Sequence, residues 1–353
     1  MVNHIEATPG SDHRNRRDFL KKLAAAGALM WFDSNLPLAR ILAGAIRSQP
    51  ADFEFTFRTV AIGHLDDLKS WMEKIDRTGK MSRQANFREY IGGFRFQVPE
   101  TIPNARSIII VAMPLLGAAV IFHFKGRKIE IPIPSGYTDG GITTESVKER
   151  LLKDVIGERR WKLERTRLPL KLLAVRSGLA EYGRNNISYV DGYGSYHQLR
   201  AFYTDYAFAD DHWRTPVMMR ECKNCSICRH RCPTQAIRKT DFVIDAGRCL
   251  TLYNELADPI PDWIDPRVHH TLVGCLKCQH ECPVNEELAA KVETIAEIDE
   301  RDTDFILNGG RIPERQQAII ARLKKFPAAE DLAYLARNLG LVLNNPSRKV
   351  VKE

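Results

Sequence analysis

All eight cysteines of this 353-residue chain lie between Cys222 and Cys282, so one short segment holds every thiol. The disulfide framework of a small secreted domain usually spreads its cysteines over the whole fold. Cysteines that are concentrated and regularly spaced are instead typical of ligands to a metal or an iron–sulfur cluster. The distribution therefore predicts a site of that kind near residue 250 of a much longer protein.

The first cysteine run is Cys222-x-x-Cys225-x-x-Cys228-x-x-x-Cys232, and Pro233 follows it directly. This is the bacterial ferredoxin spacing, in which three cysteines wrap one [4Fe–4S] cube and the fourth binds a second cube. The proline ends the loop before a short helix. The run therefore predicts two clusters and a role in moving electrons.

The second run, Cys275-x-x-Cys278-x-x-x-Cys282, is one ligand short, because Leu272 stands where its first cysteine would be. Cys249 is the one cysteine that neither run uses, and it lies between them. We expect it to complete the second ligand set. The predicted ligands are Cys222, Cys225, Cys228 and Cys282 for one cluster, and Cys232, Cys249, Cys275 and Cys278 for the other.

Structural zinc is the alternative for paired Cys-x-x-Cys motifs. Zinc would not explain why regularly spaced cysteines precede a Cys-Pro pair in both runs. His230 and His280 occupy equivalent places in the two runs and could be zinc ligands. Since the cysteines already complete both ligand sets, we expect both histidines to be exposed loop residues.

The formal net charge of the chain is +8, from 52 Lys and Arg against 44 Asp and Glu. Eight thiolates on two oxidised clusters would add about −4, so the loaded protein is close to +4. This is not the concentrated positive charge of a nucleic-acid-binding protein, and a nucleic-acid partner is not expected.

Residues 14–22 read Arg-Asn-Arg-Arg-Asp-Phe-Leu-Lys-Lys, a pattern typical of a twin-arginine export signal. A short apolar run at 23–32 and small residues at 43–45 supply the other parts of a signal. Iron–sulfur proteins need a pathway that exports folded chains, which agrees with this interpretation. We therefore expect a periplasmic or extracytoplasmic protein. An amphipathic helix with a basic start, in a cytoplasmic protein, is the alternative.

The composition after residue 50 is that of a mixed α/β domain. We predict a buried strand at 107–113, a hairpin of strands at 119–124 and 128–133, and a loop at 134–141. A helix is expected over 144–165 and another from Pro169 to Gly178. A Gly-, Tyr- and Asn-rich stretch at 179–208 is typical of a ligand-lining region, and two helices are expected at 313–326 and 328–339.

The predicted organisation is α+β, with four parts. Residues 1–50 are the signal and linker, and 51–215 an α/β domain. Residues 216–290 form the two-cluster ferredoxin-type domain, and 291–353 a helical tail. Within the α/β domain Tyr203 and Tyr206 are candidate proton donors, although packing in the core is the simpler role for a tyrosine.

The chain resembles the corrinoid-dependent epoxyqueuosine reductases and, more distantly, the reductive dehalogenases. The residues that carry the resemblance are Ser177-Gly178-Leu179, Gly183-Arg184-Asn185-Asn186, Gly192, Gly194-Ser195, Tyr203-Thr204-Asp205, Cys232-Pro233-Thr234, Ala236-Ile237, Asp245, Arg248-Cys249, Gly274-Cys275, Cys278-Gln279, Cys282-Pro283 and Asn285. A single cysteine between the two motifs, here Cys249, is a feature of the epoxyqueuosine reductases in particular. The first strand is similar as well, from Pro103 to Pro114.

The resemblance implies a nitroreductase-like α/β domain that holds cobalamin, followed by the two-cluster module that reduces the cobalt. It also implies an acidic proton donor in an Asp-x-x-Pro context. This chain reads Glu164-Arg165-Thr166-Arg167-Leu168-Pro169 there, without an Asp. The sequence therefore identifies no catalytic residue.

Three functions remain open at this point. The first is an oxidoreductase in which two [4Fe–4S] clusters feed a buried acceptor, such as a corrinoid, for a reductive reaction. The second is a ferredoxin-like electron-transfer protein without chemistry of its own, and the third is tRNA modification of the epoxyqueuosine reductase type. The expected partner is an electron donor protein or a quinol-linked reductant, with a small-molecule substrate and peripheral membrane contact left open.

Overall fold

The computed structural model describes residues 52–138, 140–310, 312–323, 325–326 and 332–345. The predicted export signal lies outside the described residues. The described residues belong to one unit, Gln49–Glu353. Among them, no helix has the length and apolar character needed to cross a membrane.

The strands in chain order are β1 (Thr56–Ala61), β2 (Ser107–Pro114), β3 (Gly117–Phe124), β4 (Arg127–Ile133), β5 (Leu163–Arg165), β6 (Glu181–Tyr182), β7 (Ser188–Tyr189), β8 (His197–Thr204) and β9 (Val292–Ile298). The helices are α1 (Leu65–Arg77), α2 (Ala85–Gly92), α3 (Thr144–Arg150), α4 (Leu170–Arg176), α5 (Ile227–Arg231), α6 (Leu250–Asn254), α7 (Lys277–His280), α8 (Glu286–Ala289), α9 (Glu300–Leu307), α10 (Pro313–Arg322) and α11 (Leu332–Leu343).

The larger sheet of the described residues has the strand order β1-β2-β8-β5, and its pairs are antiparallel. Strand β2 confirms the predicted buried strand. Its alternate residues face opposite sides, so Ile108 and Ile110 pack against α1 and α4 while Ile109 and Val111 pack against α3. A central strand with both faces covered has no polar side, which explains its uninterrupted apolar sequence.

The helix predicted over 144–165 is wrong in its second half. Thr143 caps α3 by accepting a hydrogen bond from the Ser146 amide at 3.0 Å, and a π-helical turn continues α3 through Leu151–Ile156. Gly157 then ends the helical segment with φ +81°, in the left-handed region that favours glycine. Leu163 begins β5, which pairs with β8. The apolar helical pattern is therefore correct only up to Ile156.

The predicted hairpin is confirmed as β3 and β4, joined by Lys125 and Gly126 with φ of 50° and 67°. The expected helical tail begins with a strand, since β9 pairs with β3 in parallel. Helices α10 and α11 correspond to the two helices predicted in the tail, with shifted ends. The three-stranded sheet, with the strand order β4-β3-β9, therefore joins residues on both sides of the cysteine segment.

The Gly- and Tyr-rich stretch 179–208 contains the central strand β8, which periodicity did not predict. Tyr203 lies in β8, is 2% exposed and donates a hydrogen bond to the Gln97 carbonyl at 3.5 Å. Tyr206 packs edge-on against Trp161 and Phe208. Both tyrosines therefore have the simpler role in core packing.

Candidate iron–sulfur centre

The cysteines of the first run lie on short turns that present their thiols in one direction. A 3-10 turn ends at Cys222, and Cys228 is the second residue of α5. Together with Cys225, these cysteines line one cavity, and Cys282 of the second run lines it too. Cys282 therefore faces the first run, as the crossed arrangement requires.

The remaining cysteines form a second group. Burial is the main cause that raises the pKa of Cys275 and of Cys278. Repulsion from Cys249 and Cys232 adds to the rise for Cys275, and repulsion from Cys275 and Cys249 adds to it for Cys278. These are the four cysteines predicted for the second cluster. All eight cysteines lie in the described residues, and none is in a disulfide.

Burial raises the pKa of Cys228 to about 11 and that of Cys275 to about 12. Without iron these thiols would be protonated at neutral pH, so cluster assembly must release protons while the iron stabilises the thiolates. Among the described residues, no group of three or more His, Cys, Asp or Glu side chains is placed to hold a single metal ion.

The two histidines of the runs are exposed. His230 is exposed, and its ring nitrogens contact Ser226 at 3.2 Å and Arg229 at 3.0 Å. His280 is exposed at the end of α7. Both positions agree with the expectation that these are loop residues.

Arg184 connects the first cysteine loop to the α/β part of the chain through hydrogen bonds. Its guanidinium donates to the carbonyls of Cys222 at 2.5 Å, Cys225 at 3.0 Å and Lys239 at 2.8 Å. Its backbone amide also points at the Cys222 sulfur, at 3.5 Å. The Arg184 side chain is buried, and this one residue provides hydrogen-bond donors to three backbone carbonyls.

Asn285 makes the corresponding connection at the second loop. Its side chain accepts from the Ser195 amide at 3.0 Å and donates to the Ser195 hydroxyl and the Gln279 carbonyl, both at 2.8 Å. Gly194 has φ +51°, and an added Cβ would lie 2.4 Å from the Asn285 oxygen. The motif residues of the resemblance therefore build the contact between the α/β part and the cysteine loops.

Three cysteines of the second group are partly exposed and yet strongly desolvated. Cys249, Cys275 and Cys278 keep part of their surface accessible, and burial is the main cause that raises the pKa of each. Lys171 combines the same properties, since its side chain is exposed while desolvation lowers its pKa.

Glu255 follows α6, the helix that begins after Cys249. The Tyr137 hydroxyl donates a hydrogen bond to its carboxyl group. The Tyr137 ring lies over Gly274, where an added Cβ would be 2.7 Å from the ring. Burial raises the pKa of Glu255 to about 8, so this carboxyl group is protonated at neutral pH. Tyr137 therefore contacts both this protonated carboxyl group and Gly274, the residue before Cys275.

Glu255→Gln should stabilise the protein at alkaline pH. The folded state holds a proton up to about pH 8 that the unfolded chain releases near pH 4.5, so wild-type stability falls as pH rises between these values. Thermal unfolding from pH 6 to 9 should show an advantage of the variant that grows by up to about 1.4 kcal/mol per pH unit and levels off above pH 8. Glu286→Gln, at an exposed site, is the control. A flat difference for Glu255→Gln would contradict the raised pKa.

Thr166 occupies the position where the resemblance expects an Asp. It is buried, and within the described residues its hydroxyl has no hydrogen-bond partner. Lys171, Tyr137 and Glu255 belong to no motif by spacing, so the sequence did not identify them. Arg184 and Asn285 were included in the resemblance, and the structure supplies their role.

The cysteine segment defines the first level of classification. Residues 221–285 match the family model described as a 4Fe-4S double cluster binding domain. The chain therefore contains a two-cluster [4Fe–4S] domain, in agreement with the prediction from spacing.

The comparisons with whole proteins are more specific. The epoxyqueuosine reductase of Staphylococcus aureus is 23% identical over 270 residues, which are 69% of this chain and 66% of that protein. A tetrachloroethene reductive dehalogenase of Desulfitobacterium hafniense is 37% identical over 65 residues, 18% of this chain and 12% of that one. The chain thus spans less than two thirds of the length of these relatives.

The fold similarity extends well beyond the cysteines. The structure of epoxyqueuosine reductase from Streptococcus thermophilus superposes with a TM-score of 0.58 at 16% identity, covering 82% of this chain and 77% of that one. An epoxyqueuosine reductase solved with an epoxyqueuosine-modified tRNA stem loop gives 0.54 at 18% identity, covering 83% and 77%. The chain therefore has the mixed α/β fold of these reductases.

Proposed function

We propose that this protein is an iron–sulfur reductase of the epoxyqueuosine reductase type, which passes electrons through two [4Fe–4S] clusters to a substrate. The observation that carries the proposal is the extent of the fold similarity. It covers the α/β part as well as the cluster domain. A simple electron carrier would need only the cluster domain.

The crossed ligands define the proposed electron route. Cys222, Cys225, Cys228 and Cys282 hold the first cluster, and Cys232, Cys249, Cys275 and Cys278 hold the second. A one-electron donor protein reduces the first cluster, and the second passes electrons to the substrate. Cys228 and Cys278 lie close enough to interact electrostatically, which brings the two ligand sets together.

Reduction of an epoxide to an alkene consumes two electrons and two protons and releases the oxygen as water. The clusters deliver the electrons one at a time. Glu255 is a protonated group close to the second ligand set, and we propose it as a proton source. Thr166 cannot replace the acid that the resemblance expects, because an aliphatic hydroxyl group is far too weak an acid to give up its proton near neutral pH.

A tRNA substrate changes two expectations from the sequence. The low charge density argued against a nucleic-acid partner, but a reductase of this fold has been solved with a tRNA stem loop. We therefore propose a tRNA partner for this chain. The comparisons offer no support for export, and a tRNA substrate fits the cytoplasmic alternative better.

The corrinoid is a separate proposal, as is the nitroreductase-like description of the α/β part. When bound, a corrinoid would supply the cobalt centre that the clusters reduce. Neither the description of the matched family model nor the names of the relatives mention a corrinoid. The sequence resemblance alone supports this proposal. Cobalt analysis of anaerobically purified protein tests it directly.

The function is tested with an epoxyqueuosine-modified tRNA stem loop. We expect the dithionite-reduced protein to lose its cluster reduction on adding the loop, and mass spectrometry to show a base without the epoxide oxygen. The queuosine-modified loop, which has no epoxide, is the matched control. Clusters that stay reduced with both loops would reject this function and favour the electron-transfer alternative.

A further inference from the structure

We propose that Lys171 raises the reduction potential of the second cluster, so that this cluster can accept an electron from the first. The inference rests on the cluster assignment of the proposed function, and not on the identity of the substrate. It concerns a side chain that the cysteine spacing does not involve.

The position of Lys171 is fixed by hydrogen bonds. It lies in the first turn of α4, and its ammonium donates to the Asn186 carbonyl at 2.9 Å and to the Asn186 side-chain oxygen at 3.4 Å. The preceding residue, Asn185, donates from its side chain to the Cys278 carbonyl at 3.3 Å. Two consecutive residues therefore connect the lysine to the backbone of a second-cluster ligand.

Asn186 provides this platform through its backbone conformation. Its φ of 63° places it in the left-handed region, which asparagine tolerates better than most residues. The tight turn is closed by a hydrogen bond from the Asn186 amide to the Gly183 carbonyl at 2.9 Å. The ammonium is thus held by a rigid turn, and its charge stays beside the same cysteines.

The charge of Lys171 acts on two ligands of one cluster. Desolvation lowers the pKa of Lys171, and attraction to the nearby Cys249 and Cys278 opposes it. The ammonium therefore lies close enough to both ligands for its charge to favour the added negative charge of a reduced second cluster.

A desolvated site disfavours the added negative charge of a reduced cluster, which by itself lowers the reduction potential. A nearby positive charge has the opposite effect, and it is strongest where water is excluded. Arg184 supplies a cation near Cys222 of the first ligand set. Lys277 lies near Cys275 of the second set, and Lys171 adds a second positive charge near Cys249 and Cys278. Loss of Lys171 should therefore make electron transfer from the first cluster less favourable.

The test is a redox titration of single-cluster variants, monitored by electron paramagnetic resonance. In a Cys282→Ser background, which keeps the second cluster, Lys171→Gln should lower the ratio of reduced to oxidised cluster about tenfold at fixed potential, a shift of about 59 mV for one electron. In a Cys249→Ser background, which keeps the first cluster, the same change should have no effect.

Three further variants separate charge from structure. Lys171→Arg keeps the charge and should restore the wild-type ratio, whereas Lys69→Gln, at an exposed site on α1, should leave it unchanged. Lys171→Met keeps the apolar stem and repeats the measurement if Lys171→Gln binds less iron. An unchanged second-cluster potential in both Lys171→Gln and Lys171→Met would overturn the proposal. No substrate is added, so the stem-loop assay and this titration can fail independently.

Discussion

Replacing Cys275 and Cys282 together by serine should remove both clusters, whereas replacing Cys222 and Cys282 together should remove only one. The reason is the crossed arrangement, in which Cys282 lines the cavity of the first run although it belongs to the second. We expect iron to fall from about eight atoms per chain to near zero in the first double variant. In the second it should fall to about four.

The iron contents of the two double variants distinguish the crossed arrangement from a local one, which predicts the opposite result. If each run held its own cluster, Cys275 and Cys282 would be ligands of the same cube, and their double variant would keep about four iron atoms. Cys249→Ser alone should also keep about four, as a control for the ligand that stands outside both runs. Iron and sulfide analysis after anaerobic reconstitution gives the answer. Equal iron content in the two double variants would contradict the crossed assignment.

Arg184→Ala should destabilise the protein by about 3–5 kcal/mol, because it removes a buried charge and leaves three carbonyls without a donor. Two of these carbonyls belong to Cys222 and Cys225, so iron should also be lost more readily. Urea unfolding of the holo-protein and iron release to a chelator measure the two effects. Arg184→Lys should recover only part of either, since one ammonium cannot span all three acceptors.

Arg214→Ala is the matched control for this prediction. Arg214 also donates to backbone carbonyls, those of Val175 and Ala180, but both lie outside the cysteine loops, and the residue is exposed. Its loss should lower stability by about 1 kcal/mol and leave iron release unchanged. Similar iron release from the Arg184 and Arg214 variants would mean that Arg184 supports the fold in general and not the cluster loop.

The cluster domain was the part of the protein that the sequence predicted best. Ligand spacing is a local property, so the Cys222 run alone indicated the cofactor. Cys249 was assigned by elimination, and its place in the second group agrees with that assignment. The assignment of each cysteine to one cluster stays a prediction until the serine variants are analysed.

The α/β part was predicted less well, because its strand pairing joins distant residues. Strand β5 is only three residues long, and its pairing with β8 determines its conformation more than its own sequence does. Gly157 could have indicated where α3 ends, but a lone glycine inside a helical pattern is a weak signal. Lys171 lies near Cys249 and Cys278, which are far away in sequence. No periodicity can reveal such a proximity.

The parallel pairing of β9 with β3 has a consequence for synthesis of the chain. Strand β3 is made early, but the strand that covers its free edge comes only after Cys282. Until residue 298 is available, β3 keeps unpaired backbone groups, the kind of edge that promotes aggregation between nascent chains. Iron supply during growth should therefore affect the soluble yield as well as the cofactor content, because the segment that binds the clusters lies between these two strands in the chain.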